Sequence, residues 1–378
     1  MIEYLVVFVV TLFATFQASK KKNKVSIVLW SSLAILLPSI LAGLRDSGVG
    51  WDTEVYANFH YDNMMSYGNL GFRDFLKYLF SGEWGGEWIY VLLTYLSVRY
   101  GESINSFYFI QNLFVCLFTY LAIYDHRRKA SMTLMMFIFL FSFYNISLNI
   151  MRQCIALSLA LYSYKYFENA NWVKLFICIV LVFFCHGSGL FYTLVLFCIW
   201  MQCYFKFSFI KTTFIFLLIP FSFVYFDFIL QTMVGFGVMP VKFQDLYSTS
   251  ETSGGFMKTH FVIATSLYML LSFGLLLGNR DKSYVSKVAV NNQLLYTMFL
   301  LSMMVSLWAF RISYYFYYFN IILIPMAIEN AKINRVKYVE YVKYGVIFLI
   351  LLEWFLTIVV ANENSTCPYK SIIINNWL

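Results

Sequence analysis

Residues 2–24 read IEYLVVFVVTLFATFQASKKKNK, an apolar run that ends before a cluster of four lysines. The run is about as long as the roughly 17 to 25 residues that a helix needs to cross a bilayer. Secretory signal peptides place their basic residues before the apolar segment, so the reversed order here predicts a retained span. Because Lys and Arg are kept in the cytoplasm, we expect this span to run from outside to inside.

The composition extends this interpretation to the whole chain. Of its 378 residues, 61% are hydrophobic and only 12% are charged, with a mean hydropathy of +0.70. Soluble domains carry roughly 25% charged residues, so the sequence predicts an all-α, polytopic integral membrane protein surrounded by membrane lipids. The net charge of +8 is distributed in short clusters beside apolar runs. That pattern sets topology and does not predict a nucleic-acid partner.

Apolar runs predict about twelve transmembrane helices within a single transmembrane domain, residues 1–378. The predicted spans are 2–18, 25–43, 103–124, 131–147, 149–166, 172–187, 189–205, 212–231, 260–278, 289–310, 312–330 and 338–360. The basic clusters then fall on the cytoplasmic side, and both termini and the long loops 44–102 and 232–259 lie outside. Residues 87–99 are too short for a routine span, and we interpret them as a re-entrant or interfacial helix.

Sequence motifs for cofactor chemistry are absent from the chain. It has no zinc-ligand spacing, no phosphate-cradling glycine loop, no dinucleotide fingerprint and no nucleophile elbow. The acidic residues of the first outer loop could bind a divalent cation, but they lack the spacing of an ion-binding loop. We therefore expect neither a cofactor nor a metal ion.

Three arginines lie at the mouths of predicted spans on the outer side: Arg45, Arg152 and Arg311. A cation at the edge of hydrocarbon needs an anionic partner, because an unpaired charge there costs several kcal/mol. The guanidinium fork matches phosphate oxygens, so we expect a lipid-linked phosphate. Arg152 also begins a predicted helix, where free N–H groups favour an anion.

Other candidate residues accompany these arginines in the sequence. Asp52 and Tyr56 follow Arg45 in the first loop, Gln153 follows Arg152, and Tyr314 belongs to a tyrosine-rich run after Arg311. His186 stands before a Gly-Ser-Gly turn that leaves room for a ligand, although a lone histidine there also fits a packing role. Either His186 or Asp52 could accept a hydroxyl proton, and the sequence leaves both open.

Five segments occur in order along the chain: Ala42-Gly43-Leu44-Arg45 through Gly50-Trp51-Asp52 and Tyr56, Asn149-Ile150-Met151-Arg152-Gln153 with Ala156, Phe184-Cys185-His186-Gly187-Ser188, Arg311 with the Tyr-rich helix, and Pro368-Tyr369. Together they resemble the EpsG-like family of bacterial exopolysaccharide and O-antigen polymerases. This chain has Gly-Trp-Asp where the family commonly has Gly-Thr-Asp.

The resemblance implies a Wzy-type polymerase that joins oligosaccharide repeat units carried on undecaprenyl diphosphate, at the periplasmic face of the bacterial inner membrane. Such enzymes resemble the GT-C class of glycosyltransferases and are usually metal-independent. One lipid-linked unit is the donor and another the acceptor, and a chain-length regulator is an expected partner. An O-antigen ligase and a lipid-linked oligosaccharide flippase or transporter remain alternatives, while the sugars, the linkage and the oligomeric state stay open.

Overall fold

All regular elements in the part of the chain that the structure describes are helical. The structure is a computed structural model, and it describes residues 1–67, 70–80, 87–101, 103–205, 232, 254–277, 284–302, 307–334 and 338–371. The predicted span 212–231 and residues 233–253 of the predicted loop 232–259 lie outside the described residues. The all-α prediction is confirmed for the described part.

The first eleven helices lie between residues 2 and 205. They are α1 (Ile2–Lys20), α2 (Lys24–Gly43), α3 (Asn58–Met65), α4 (Phe72–Leu79), α5 (Trp88–Tyr100), α6 (Ile104–Asp125), α7 (Met132–Phe139), α8 (Asn145–Asn149), α9 (Met151–Glu168), α10 (Trp172–Cys185) and α11 (Phe191–Phe205). A π-helical turn, Leu140–Tyr144, joins α7 to α8 without a break, and a 3-10 turn, Gly187–Leu190, precedes α11.

Four further helices lie among the described residues of the second half of the chain. They are α12 (Gly254–Leu271), α13 (Tyr284–Ser302), α14 (Leu307–Ile333) and α15 (Val339–Trp354). Single π-helical segments, Ser272–Leu277 and Phe355–Val360, extend α12 and α15.

Among the described residues, 6 helical stretches are long and apolar enough to cross a membrane. They are Ile2–Lys20, Lys24–Gly43, Ile104–Asp125, Met132–Asn149, Thr259–Leu276 and Val339–Val360, each of which overlaps a predicted span. The protein is therefore a multi-pass membrane protein, while the larger number of about twelve spans stays a prediction. Helix α5 has 13 residues, or about 20 Å at 1.5 Å per residue, which is short of the roughly 30 Å hydrocarbon core.

The described residues form two compact units, Met1–Thr193 with Trp354–Leu378, and Leu194–Glu353. In the first unit, α2 and α9 both pack against α6, and α1 packs against α2 and α7. Edge-on aromatic contacts fill the space between α1 and the α7–α8 segment; the Phe8 and Tyr144 rings, for example, are 5.3 Å apart. The single transmembrane domain over residues 1–378 stays a prediction.

In the second unit, α13 packs along α14 and α12. Buried amides link these helices, since the Asn292 side chain donates to Asn320 at 2.8 Å and the Asn320 side chain donates to Gln293 at 2.6 Å. A second buried polar cluster in this unit contains ionisable groups. Glu353 accepts from the Tyr317 hydroxyl at 2.7 Å and lies 2.8 Å from Nδ1 of His260.

Candidate functional site

Arg45 lies two residues beyond the end of α2, and its side chain is buried. Its Nη1 donates to the carbonyl of Leu148 at 2.8 Å, and its Nη2 donates to Thr53 Oγ1 at 3.3 Å. Nη2 is also 3.2 Å from the Met151 sulfur, and the guanidinium lies 4.4 Å from the centre of the Tyr108 ring. Burial lowers the pKa of Arg45. These contacts join the first loop to the end of α8, and a diphosphate contact by Arg45 stays a prediction.

The loop after Arg45 is held against the junction of α8 and α9. Gly50 has a φ of +96°, and a Cβ there would lie 2.8 Å from both the Leu148 carbonyl oxygen and Thr53 Oγ1. Only glycine fits such a close approach in that backbone conformation. Two residues later, the Asp52 N–H donates to Asn149 Oδ1 at 2.8 Å. The Gly-Trp-Asp segment and the Asn149–Gln153 segment are therefore neighbours in space.

The C-terminal tail packs on the same loop. The N–H groups of Asp46 and Gly50 donate to the carbonyls of Lys370 and Ser365, each at 2.9 Å. The hydroxyl of Tyr369, which belongs to the last of the five sequence segments, donates to a carbonyl near the end of α2 at 2.7 Å. The tail thus fixes the position of the first loop from the other side.

Arg152 occupies the first turn of α9, whose N-cap residue makes no side-chain cap hydrogen bond. Its Nη1 donates to Glu87 Oε2 at 2.9 Å, and the two side chains are 32% and 16% exposed. The guanidinium carbon lies 5.8 Å and 5.9 Å from the ring centres of Tyr56 and Tyr90, and Asp52 is near enough for its charge to act on Arg152. A partly exposed cation at a helix N-terminus is a favourable place for an anion.

His186 follows the last residue of α10 and faces the same carboxylate. Its Nε2 is 3.5 Å from Glu87 Oε1. Its Nδ1 accepts from the N–H of Ser188 at 3.2 Å and lies 2.7 Å from the Ser188 hydroxyl. The turn folds closely over α10, since a Cβ on Gly189 would lie 2.6 Å from the Val182 carbonyl oxygen. This packing fixes the direction of the imidazole ring.

A second histidine, His60 in α3, borders the cluster. Its ring meets the Tyr90 ring edge-on at 5.8 Å between centres. Burial, together with the charge of Arg152, lowers the pKa of His60 to about 4. His60 is therefore neutral at physiological pH.

The sequence predicted eight site residues, and the structure brings four of them together. Arg152 and His186 both face Glu87, and Asp52 and Tyr56 lie near Arg152. Gln153 follows Arg152 in α9 and is buried. Arg311 is exposed on α14, and Tyr314 is buried one turn further on, with its ring 4.7 Å from that of Phe310. Both belong to the second unit, and their part in substrate binding stays a prediction.

Sequence analysis missed Glu87, which connects Arg152 to His186. It immediately precedes the short helix α5, a segment interpreted only as re-entrant or interfacial. Its pairing with Arg152 spans 65 positions of sequence and depends on how α5 packs against α6 and α10. The signal that could have identified it is a carboxylate directly before an apolar helix near the membrane.

Among the described residues, no group of three or more His, Cys, Asp or Glu side chains could hold a metal ion. The acidic residues of the first loop are therefore not assembled into such a group within the described part. The prediction of metal-independent activity stays open to a direct test.

A helical, multi-pass membrane protein with an arginine, a carboxylate and a histidine in contact is suited to bind a phosphorylated, membrane-anchored substrate. The sequence profile of the EpsG family matches residues 27–371, and the chain belongs to that family. The resemblance predicted from its motifs is thereby confirmed. Searches of curated proteins and of solved structures each found no significant match. Membership of the EpsG family is consistent with a polysaccharide polymerase of the membrane glycosyltransferase type.

Proposed function

We propose that this protein is a Wzy-type polymerase that joins oligosaccharide repeat units carried on undecaprenyl diphosphate. The reaction takes place at the periplasmic face of the bacterial inner membrane, on a scaffold of the GT-C kind. The observation that carries the proposal is the Arg152 site. The Arg152 side chain is 32% exposed and lies at a helix N-terminus, where it can bind an anion. Glu87 and His186 lie beside it and can transfer protons.

The arginine stabilises the charge that develops on the leaving group. When the bond between the donor sugar and the diphosphate breaks, negative charge accumulates on the phosphate oxygens, and a preorganised guanidinium lowers the barrier. Arg152 is the first residue in this role, with Arg311 and Arg45 as further predicted contacts. Gln153, Tyr56 and Tyr314 are predicted to bind substrate, because aromatic rings and amides suit sugar faces and hydroxyls.

The test is a reconstitution. Purified protein is incubated with a defined repeat unit on undecaprenyl diphosphate, with and without added lipid A core, and the products are separated by length. A ladder of lengthening glycans on the lipid carrier supports the polymerase. A single transfer to lipid A core, without a ladder, would identify a ligase instead. Addition of a chain-length regulator, the proposed protein partner, should narrow the length distribution.

The same assay tests the prediction that the reaction does not need a metal ion. If fixed arginines supply the positive charge, ladder formation should continue after EDTA treatment and removal of divalent ions by gel filtration. Loss of the ladder, with recovery on adding back one divalent ion, would contradict that assignment of roles. A matched incubation with EDTA already saturated by calcium controls for effects of the chelator itself.

The transporter alternative has one specific observation in its favour. Glu353 is buried in a helix that is long and apolar enough to cross the membrane, and it contacts His260 and Tyr317. Ionisable groups inside a membrane often mark transport pathways. Movement of a fluorescent lipid-linked oligosaccharide between the leaflets of proteoliposomes, without a polymeric product, would favour this alternative.

A further inference from the structure

Glu87 occupies the edge of the Arg152 guanidinium to which an anionic substrate group would bind. Its Oε2 accepts from Arg152 Nη1 at 2.9 Å, in the first turn of α9. A carboxylate and a phosphate offer the guanidinium the same kind of oxygen acceptors. A diphosphate that binds Arg152 through this edge must therefore compete with Glu87.

His186 is unsuited to accept a proton at the nitrogen that faces Glu87. Its Nδ1 accepts from the backbone N–H of Ser188 at 3.2 Å, and a backbone amide can only donate. This contact favours the neutral tautomer with its proton on Nε2, which lies 3.5 Å from Glu87 Oε1. In that tautomer Nε2 cannot accept a proton, whereas the carboxylate of Glu87 can.

Release from Arg152 would make Glu87 a stronger base. The Glu87 side chain is only 16% exposed, so its negative charge is stabilised chiefly by its protein partners. Loss of a cationic partner in a poorly solvated place favours the protonated form of a carboxyl group. Binding of the donor diphosphate would thus create the proton acceptor that the acceptor sugar requires.

We propose that Glu87 is both the exchangeable counterion of Arg152 and the proton acceptor of the reaction, and this rests on the proposed function. The diphosphate of the donor binds Arg152 and displaces the Glu87 carboxylate. The acceptor hydroxyl then gives its proton to the Glu87 carboxylate while its oxygen forms the new bond to the anomeric carbon. The bond from that carbon to the diphosphate breaks, its electron pair leaves with the lipid diphosphate, and Glu87 later returns the proton to water.

Two measurements on Glu87→Gln test the two roles separately. Glutamine has nearly the same shape but no charge, so Arg152 loses its competitor. Inorganic pyrophosphate, followed by isothermal titration in detergent, should bind the variant about 10-fold more tightly than the wild type. Ladder formation should fall by about 100- to 10,000-fold, the usual effect of losing a general base. A group that only maintained the fold would give weaker binding and lower activity together.

Control variants keep the result decisive. Asp74→Asn removes an exposed carboxylate that pairs with Lys77, and it should leave both measurements unchanged. Glu87→Asp keeps the charge on a shorter side chain and should give intermediate turnover with pyrophosphate affinity near that of the wild type. Should Glu87→Gln not fold, the aspartate variant decides: wild-type turnover in it, or tighter pyrophosphate binding, overturns the proposal.

The outcomes separate this inference from the proposed function. Unchanged or weaker pyrophosphate binding by folded Glu87→Gln overturns the counterion role. Near-normal ladder formation by that variant, with loss of the ladder in His186→Gln or Asp52→Asn, overturns the proton-acceptor role while the polymerase stands. If the wild type makes no ladder at all, the polymerase and the proton acceptor both fall, and the binding result alone still decides the counterion role.

Discussion

Arg45 and Arg152 have the same side chain and occupy opposite environments. Arg45 is 2% exposed and contacts a carbonyl, a hydroxyl, a thioether and an aromatic ring, while the Arg152 side chain is 32% exposed and meets a carboxylate. Both were predicted as phosphate ligands because both lie at the mouth of an apolar span. The sequence placed Arg152 before Arg45 in that role but could not predict the burial of Arg45, which depends on Leu148 and Met151, more than 100 positions away.

Substitutions at the two arginines should therefore have different effects. Arg152→Ala should lower polymer formation by about 100- to 1,000-fold with normal protein abundance, and Arg152→Lys should lower it less, because the charge remains without the fork. Arg45→Ala should lower the free energy of unfolding by about 3 kcal/mol, since it breaks several buried hydrogen bonds. Melting curves and polymer yield from the same membranes measure both. A stable but inactive Arg45→Ala protein would contradict this structural role and support a contact between Arg45 and the diphosphate.

His60 should make stability depend on pH. Its pKa is lowered to about 4 in the folded protein, against about 6.5 in an unfolded chain. Between these values the unfolded chain binds the proton and the folded protein does not, so stability should be lost as the pH falls from about 6.5 toward 4. His60→Gln should reduce this loss. Melting temperatures of both proteins at pH 7.5, 6 and 5 provide the measurement, and parallel pH profiles would contradict the prediction.

At the scale of elements, apolar runs predicted the bounds of several long helices to within a few residues. The predicted span 103–124 is helix Ile104–Asp125, and 338–360 is the stretch Val339–Val360. Hydropathy carries that information locally, because a helix in lipid needs an unbroken apolar length. It does not predict the π-helical turns, or the contact of α5 that brings Glu87 to Arg152, because these depend on packing between helices.

Helices α12, α14 and α15 meet through one buried carboxylate, which should stabilise the second unit. Glu353→Ala leaves His260 and Tyr317 without their common partner and should cost about 3 to 5 kcal/mol, the usual effect of breaking a buried pair. Tyr317→Phe removes one hydrogen bond and should cost about 1 kcal/mol. Thermal unfolding in detergent compares the two. Equal, small effects would contradict this structural role and strengthen the transport alternative.

At the scale of the whole molecule, four of the five family segments are dispersed over the sequence and yet belong to the first unit, while Arg311 and the Tyr-rich helix belong to the second. The first loop, the start of α9, the turn after α10 and the C-terminal tail are held by hydrogen bonds such as Gly50 to Ser365 and Asp52 to Asn149. The residue types of these segments and their order along the sequence were sufficient to predict the family. They did not predict the contacts between these segments, which depend on how the helices of the first unit pack against one another.

The side of the membrane on which this assembly lies is the last prediction. The positive-inside rule places the first loop outside and the basic turn after α6 inside. In a Cys367→Ser background, which removes a partly exposed thiol, Lys77→Cys should react with a membrane-impermeant maleimide in intact cells, because its side chain is 70% exposed. Arg128→Cys, also at an exposed position, should react only after the membrane is opened. The reverse pattern would move Arg152, Glu87 and His186 to the cytoplasmic face and rule out a periplasmic polymerase.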